Sequence, residues 1–368
     1  MDHCPAIIAG GGIAGLAVAL ALRGRDGLIL ERSETFSAMG AGLQLGPNAI
    51  RALQKLGAWD AVSAITSSPP EIHIRDGLTG KCLKRLALGS RFEKQFGAPY
   101  RVAQRADLHA ALLEVVKSQP NLTLRMAAQV NWARSNNKGV ELQVGGEVLR
   151  RSQLWAVDGV HSAIRQALVP GSAPIDSGAR FHRALLAINL DVKNVALDCV
   201  NLWMFPGGHV VHYPVGTPQC LNVVAVVPDG TTPQTYFANA CSELRNIISH
   251  LDDASIWPGL YVNPLPTWQF GNITLLGDAA HGTLPYLAQG AAMALEDAAA
   301  LVGIAGESSL AEAIKQRQRR TALLHQKTLS AGRTYHLNGI MGTARNTAIA
   351  LSPGRFLQNQ LGWIYRHY

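Results

Sequence analysis

The stretch AIIAGGGIAGLAVALALRGRDGLILE, residues 6 to 31, leaves this chain little freedom. A short apolar run (Ala6 to Ala9) meets three glycines, a helical run follows (about Ile13 to Arg23), and a second apolar run (Gly27 to Leu30) stops at Glu31. That is a strand, a glycine turn, a helix and a parallel strand, and a parallel pair needs cover on both faces of its sheet. Gly10, Gly12 and Gly15 have the GxGxxG spacing. Gly10 serves the tight turn, Gly12 the close approach of a pyrophosphate, and Gly15 the packing of helix on sheet. The helix N-terminus adds free N–H groups and partial positive charge. Glu31 lies nineteen residues after Gly12, where a carboxylate accepts hydrogen bonds from a ribose. The pattern reads as a dinucleotide site without choosing between NAD and FAD; a purely structural glycine turn is the plain alternative.

Bulk properties narrow the class. With 368 residues, 48% hydrophobic and 16% charged, the chain can bury a large core in two domains and is not a disordered protein. Its longest apolar run, Ile13 to Leu22, is too short for a bilayer span. No membrane association and a cytoplasmic location are therefore expected. A formal charge of +8 draws anions. The densest basic run, KQRQRR at 315 to 320, lies in a helical pattern without aromatics and reads as a solvated face, not a nucleic-acid patch. The five cysteines share no metal-like spacing with the histidines, so no metal centre is expected.

Further along, helical patterns cover Pro47 to Leu56 and Asp107 to Lys117. Period-two stretches beginning with LTLRMAAQV read as a β meander that returns through LWAVDG, residues 154 to 159. From Ala184 to Val227 long β-rich segments fit an antiparallel sheet forming one wall of a pocket, and helices follow to Tyr368. The expected fold is α/β. A Rossmann-like dinucleotide domain (1–68, 97–175 and 262–335), with parallel sheet and meander, interleaves with a substrate domain on an antiparallel sheet (69–96 and 176–261). A C-terminal helical segment (336–368) closes the chain.

Two more stretches carry chemistry. AVDGVHSAIRQAL (156–168) places Asp158 and Gly159 at a strand end, although Asp-Gly is also common in ordinary β-to-α turns. LLGDAAHGTLPYLAQGAAMALEDAAAL (275–301) ends a strand in Gly277-Asp278 and opens an alanine-rich helix after Gln289-Gly290. Taken with the glycine turn, these three motifs resemble the fingerprints of the single-component FAD-dependent aromatic hydroxylases, in the expected order over nearly the whole chain. HVVHYPV (209–215) and LPYLAQGAAMALEDA resemble the salicylate, 3-hydroxybenzoate and hydroxynicotinate hydroxylases most.

The resemblance implies a resident FAD and a transient NADH or NADPH. Cofactor contacts fall on Gly10, Gly12, Ile13, Ala14, Gly15, Glu31, Arg32 and Val130 for the adenosine and pyrophosphate, on Asp158, and on Asp278 for the ribityl chain. Arg105, Gly42, Gln44, Gly290 and Ala291 fall beside the flavin ring. For Arg105 a surface position at a helix start is the alternative. Gly282 departs from the relatives' proline after the histidine, which is expected to loosen the loop.

The activity implied is NAD(P)H-dependent hydroxylation of a small aromatic, phenolic or hydroxypyridine-type and carboxylated, by dioxygen through a flavin hydroperoxide. The helix dipole after Gly290 would stabilise the reduced flavin. A base must deprotonate the phenol. Side chains alternate along a strand, so only one of His209 and His212 can line the cavity. The resemblance favours His212, against the alternative of a hydrogen-bonded core histidine. Tyr213 and Gln289 are weaker candidates for orienting substrate, Pro285 for placing its carbonyl near the peroxide, and His281 for bracing the loop. Trp203, Phe205, Tyr213 and Tyr286 either stack on a ring or simply pack. The competing readings are a flavoprotein reductase or dehydrogenase of the same fold that does not activate oxygen, and a non-catalytic dinucleotide-binding sensor; a WxWxIP halogenase motif is absent. A homodimer is compatible with the sequence.

Overall fold

The computed structural model describes residues 6–36, 41–188, 192–216, 219–304 and 307–366; Cys4, Gly40 and Tyr368 fall outside them. The βαβ unit forms where its pattern places it: strand Ala6–Ala9, helix Ile13–Ala21, strand Gly27–Leu30. These strands lie in a six-stranded sheet ordered Gln269–Phe270, Ile273–Leu275, Leu154–Ala156, Ala6–Ala9, Gly27–Leu30, Leu122–Arg125. Every pairing is parallel except that of the Gln269–Phe270 edge. Ile7 and Ile8, on opposite faces, are both fully buried, as a sheet covered on both sides requires.

One expectation is corrected here. LTLR is not part of the meander: after the helix Arg105–Lys117 it pairs parallel with Gly27–Leu30 and extends the main sheet. The meander is the separate sheet Val130–Asn136, Gly139–Val144, Glu147–Arg151, whose last strand leads back to Leu154–Ala156.

The second large sheet has seven strands, ordered Ser255–Tyr261, Ile175–Ala187, Cys220–Pro228, Gly208–Val215, Val200–Phe205, Glu71–Asp76, Cys82–Ala87. Its first long strand begins nine residues before the Ala184 expected from hydrophobicity. The added part, IDSGARFHR, is mostly polar and bulges between Asp176 and Arg180, so it carries no apolar alternation to read. One face of this sheet packs on Phe237, Leu244 and Ile247 of two short helices. The other turns toward the Gly42–Leu45 strand and the Pro285–Leu287 turn.

Candidate active site

The glycine turn has the form its chemistry needs. Gly10 sits at φ +117°, where a Cβ would lie 2.5 Å from the Val157 carbonyl oxygen. A Cβ on Gly15 would fall 1.8 Å from the Gly10 carbonyl oxygen, which is why helix and turn can close. Gly12, the N-cap, faces open space, and Ile13 and Ala14 begin the helix behind it. Glu31 accepts from the backbone N–H of Gly11 (2.8 Å) and of Ser33 (2.9 Å). Burial alone would raise its pKa, but the bonds from Ser33 and Gly11 outweigh that and hold it ionised. Arg32 is exposed beyond it. Val130 follows Ala127 and Ala128, whose N–H groups bond the carbonyls of Ser33 and Glu31, so it borders the same strand end.

Two carboxylates complete the groove. Asp158 is largely buried, its Oδ1 lacks a partner, and burial raises its pKa. Such an orphaned acceptor fits a hydroxyl-bearing ligand. Asp278 opens the short helix Asp278–His281. It is solvent-accessible yet surrounded by protein on nearly all sides, the situation of a carboxylate at the bottom of a cleft, and its pKa is raised by that burial. Arg105, which donates its backbone N–H to the Ala41 carbonyl (3.0 Å), is exposed and near enough to moderate the Asp278 charge. Gly290 opens the twelve-residue helix Gly290–Leu301 onto free space, with Ala291 behind it. Free space before two helix N-termini, with a carboxylate at each strand end, fits FAD.

The loop beyond Asp278 is braced from inside. Asp297 Oδ2 accepts from the Gly277 N–H (2.9 Å) and from His281 Nε2 (2.5 Å), while Oδ1 accepts from Arg317 Nε (2.8 Å). Burial opposes ionisation of Asp297, but His281 and Arg317 together bring its pKa down to about 2. His281 stacks on Trp268 and is the brace expected of it. Gln289 is different. It is buried, and its Oε1 accepts from Asn48 Nδ2 (2.9 Å), which also bonds Glu296 (2.6 Å). Gln289 is thus tied to the helix Pro47–Leu56 at the start of its own helix. Gly282 does not loosen the loop either: it is buried, and backbone bonds to Asp278 and from Val262 pin it on both sides.

The two histidines fall on opposite faces of the sheet. His212 is fully buried beside Trp203, on the face that packs with Val210, Phe205 and the outer helices. Neither ring nitrogen has a partner, and burial with nearby Arg75 and His73 depresses its pKa to about 3. Trp203 and Phe205 share that outer core. His209, Val211 and Tyr213 point the other way. His209 meets Tyr286 edge-on (5.4 Å between ring centroids), and its Nδ1 lies 2.9 Å from His336 Nε2. Tyr213 hydrogen-bonds Gln44, and a Cβ on Gly42 would sit 2.7 Å from its ring. Burial raises the Tyr213 phenol pKa. Pro285 is exposed at the start of the turn carrying Tyr286. The side chains alternate as expected, and it is His209, not His212, that lies beside Tyr286.

Two features had no sequence signal. Arg183 stands in register with Val224, itself opposite Val211, and so shares the face of His209 and Tyr213. Its Nε is buried without a partner, and no carboxylate among the described residues pairs with it. On the outer face, Glu71, His73 and Cys199 bring one donor atom each within 4.8 Å of one another, a grouping that no spacing along the chain displays. There His73 Nε2 already bonds Glu71 (2.7 Å), and Arg75 lies on the same face of the same strand.

Among the described residues, no helix is long and apolar enough to cross a membrane. The pattern of the FAD binding domain family matches residues 3–328. Over 98% of this chain and 95% of its own length, 3-hydroxybenzoate 6-hydroxylase of Polaromonas naphthalenivorans is 32% identical. The 3-amino-4-hydroxybenzoate 2-monooxygenase of Streptomyces cremeus is 34% identical over 97% of this chain and 94% of its own. Among solved structures, Klebsiella pneumoniae HpxO complexed with FAD and uric acid superposes with a TM-score of 0.86 at 24% identity, covering 98% of this chain and 96% of that one. With the glycine turn, the two cleft carboxylates and the open helix N-termini in place, the chain belongs to the FAD-binding family of flavin-dependent aromatic monooxygenases.

Proposed function

We propose that this enzyme hydroxylates a small phenol or hydroxypyridine bearing a carboxylate, with His209 as the base and Arg183 as the anion anchor. The observation carrying this is one sheet face shared by His209, which meets Tyr286, Tyr213, which meets the Gly42–Leu45 strand, and Arg183, which lies over the Phe181 and Trp257 rings with no carboxylate partner among the described residues. When bound, FAD supplies electron transfer from NADH or NADPH and activation of dioxygen. The protein does the rest. His209, held neutral by burial and by neighbouring His336, can accept the phenolic proton and make the ring electron-rich. Arg183 fixes the carboxylate end through its guanidinium fork. The buried Tyr213 and the half-buried Tyr286 keep water from the reacting ring. Glu31, Asp158 and Asp278 hold the cofactor, the glycine turn its pyrophosphate, and the Gly290 helix the negative edge of its ring.

The partners of this reading are the aromatic acid, dioxygen and NAD(P)H, in a cytoplasmic enzyme. Holoenzyme is tested with hydroxybenzoates and hydroxypyridines for NAD(P)H oxidation coupled to oxygen uptake and hydroxylated product. Arg183→Ala is expected to raise KM for carboxylated substrates about tenfold or more, the loss of a charge-assisted bond. It should leave uncarboxylated phenols nearly unaffected. Hydride transfer to an acceptor with no oxygen requirement would instead establish the reductase reading.

A further inference from the structure

His209 has a second imidazole beside it. His336 follows directly on the long helix Glu307–Tyr335, and its Nε2 faces His209 Nδ1 at 2.9 Å, with the two ring planes 32° apart. Tyr286 lies edge-on to both rings, and Tyr335 packs against His209. The His336 backbone is held from two sides: its carbonyl accepts from the Gly207 N–H (3.0 Å), beside the turn into the His209 strand, and its N–H reaches Gly332 (3.1 Å). Arg345 clasps the same turn, donating to the carbonyls of Thr334 and Tyr335. His209 is almost completely buried, whereas His336 is partly open to solvent. An imidazole pair in this order, inner ring buried and outer ring accessible, links a buried proton acceptor to water.

We propose that His336 is the exit of a two-imidazole proton relay that clears the phenolic proton from the active site. The inference rests on the reading of His209 as the base. The proton count closes without charge on either ring. The substrate O–H gives its proton to His209 Nε2, His209 passes the proton on Nδ1 to His336 Nε2, and His336 releases its Nδ1 proton to water. Both rings end as neutral tautomers of their starting forms, so the return step is a tautomer exchange with solvent. Burial lowers the pKa of both, with Arg345 adding to the effect at His336 (about 4), so neither ring holds the proton as an imidazolium at neutral pH. His336 is then a positioning and proton-transfer residue, not one that touches substrate.

The test uses FAD-loaded enzyme in weak buffer with a pH indicator, mixed rapidly with 3-hydroxybenzoate or the most active phenol carboxylate of the panel above. In His336→Ala and His336→Gln, substrate affinity is expected to stay within about threefold, while proton release and kcat fall about tenfold or more. Free imidazole should restore part of the rate to the alanine variant and none to the glutamine variant, whose side chain fills the gap. Wild-type proton release in both variants, or weakened binding with unchanged rates, overturns the relay. His209→Ala separates the two layers. If it turns over normally, the base assignment falls and the relay with it; if it is inactive while the His336 variants are fast, only the relay falls.

Discussion

At the level of single residues, the most instructive pair is His209 and His212. Three positions apart on one strand, they belong to opposite environments, one beside tyrosines and a second histidine and the other in an apolar core. Their titration makes the difference measurable. His212 is held near pKa 3 in the folded chain against about 6.5 when unfolded. As pH falls below about 6.5 the unfolded state takes up a proton that the folded state refuses, so stability drops through the window from 6.5 to 3 and levels off below it. His212→Leu, which removes two unpartnered ring nitrogens from an apolar core, is expected to flatten that loss by up to several kcal/mol and to keep turnover within about twofold. Acid-dependent denaturant melts with parallel rate assays check both. A variant with lost turnover and unchanged acid stability would return His212 to the cavity. The flattening is partial, because burial also holds His209 and His336 low. Sequence could show that the two histidines face apart. It could not show which face met which neighbours, because HVVHYPV is apolar or aromatic on both, and only the packing partners, Trp203 of the next strand for one and Tyr286 of the Pro285–Leu287 turn for the other, separate them.

At the level of elements, legibility followed the strength of local chemistry. The glycine turn, its helix and Glu31 were readable because each has a local reason: a positive φ, a close approach, an acid at a strand end. The helix Pro47–Leu56 was readable to its ends, with proline opening it and Gly57 at φ +70° closing it. Strands with polar alternation, such as the start of Ile175–Ala187, were not. Nor was the buried lattice of Glu296, Asp297, Arg317 and Arg320, because EDAAAL and KQRQRR read separately as a helix end and a solvated basic run. Folded, Arg317 is buried and Arg320 nearly so, both engaged with the acids of the neighbouring helix. Removing one member strands the others in low dielectric. Asp297→Ala should therefore cost about 3–5 kcal/mol, the penalty for breaking a buried pair. It should also weaken FAD retention, since the Gly277 N–H and His281 lose their common acceptor. Thermal melts and flavin content after gel filtration measure the two effects; normal flavin content would show that Asp278 is placed without this brace.

At the level of the whole molecule, the two large sheets are not consecutive along the chain. The parallel sheet takes strands from the first thirty residues, from the middle and from beyond residue 268, while the seven-stranded sheet is drawn from the intervals between. Even the last residues close the structure. Tyr365 joins Phe92, Phe96 and Tyr100 in one aromatic cluster, and its carbonyl accepts from Arg51. The interleaving inferred from the motifs followed from one argument, that glycine-turn features at both ends serve a single ligand. The role of the terminal segment did not, because nothing in RFLQNQLGWIYRHY announces which distant phenylalanines it will meet.

This arrangement sets a schedule during synthesis. The glycine turn emerges first, at Gly10, and under the proposed function the carboxylate for the ribityl chain waits for Asp278 and the helix beside the ring for Gly290 and beyond. On that reading a ribosome completes most of the message before the flavin site is whole, and the early βαβ unit spends that interval as one half of it. Nascent chains stalled before Asp278 leaves the exit tunnel should carry no bound FAD, whereas released full-length chains should turn yellow. Flavin retained by the shorter chains would mean that the first half-site grips the cofactor unaided.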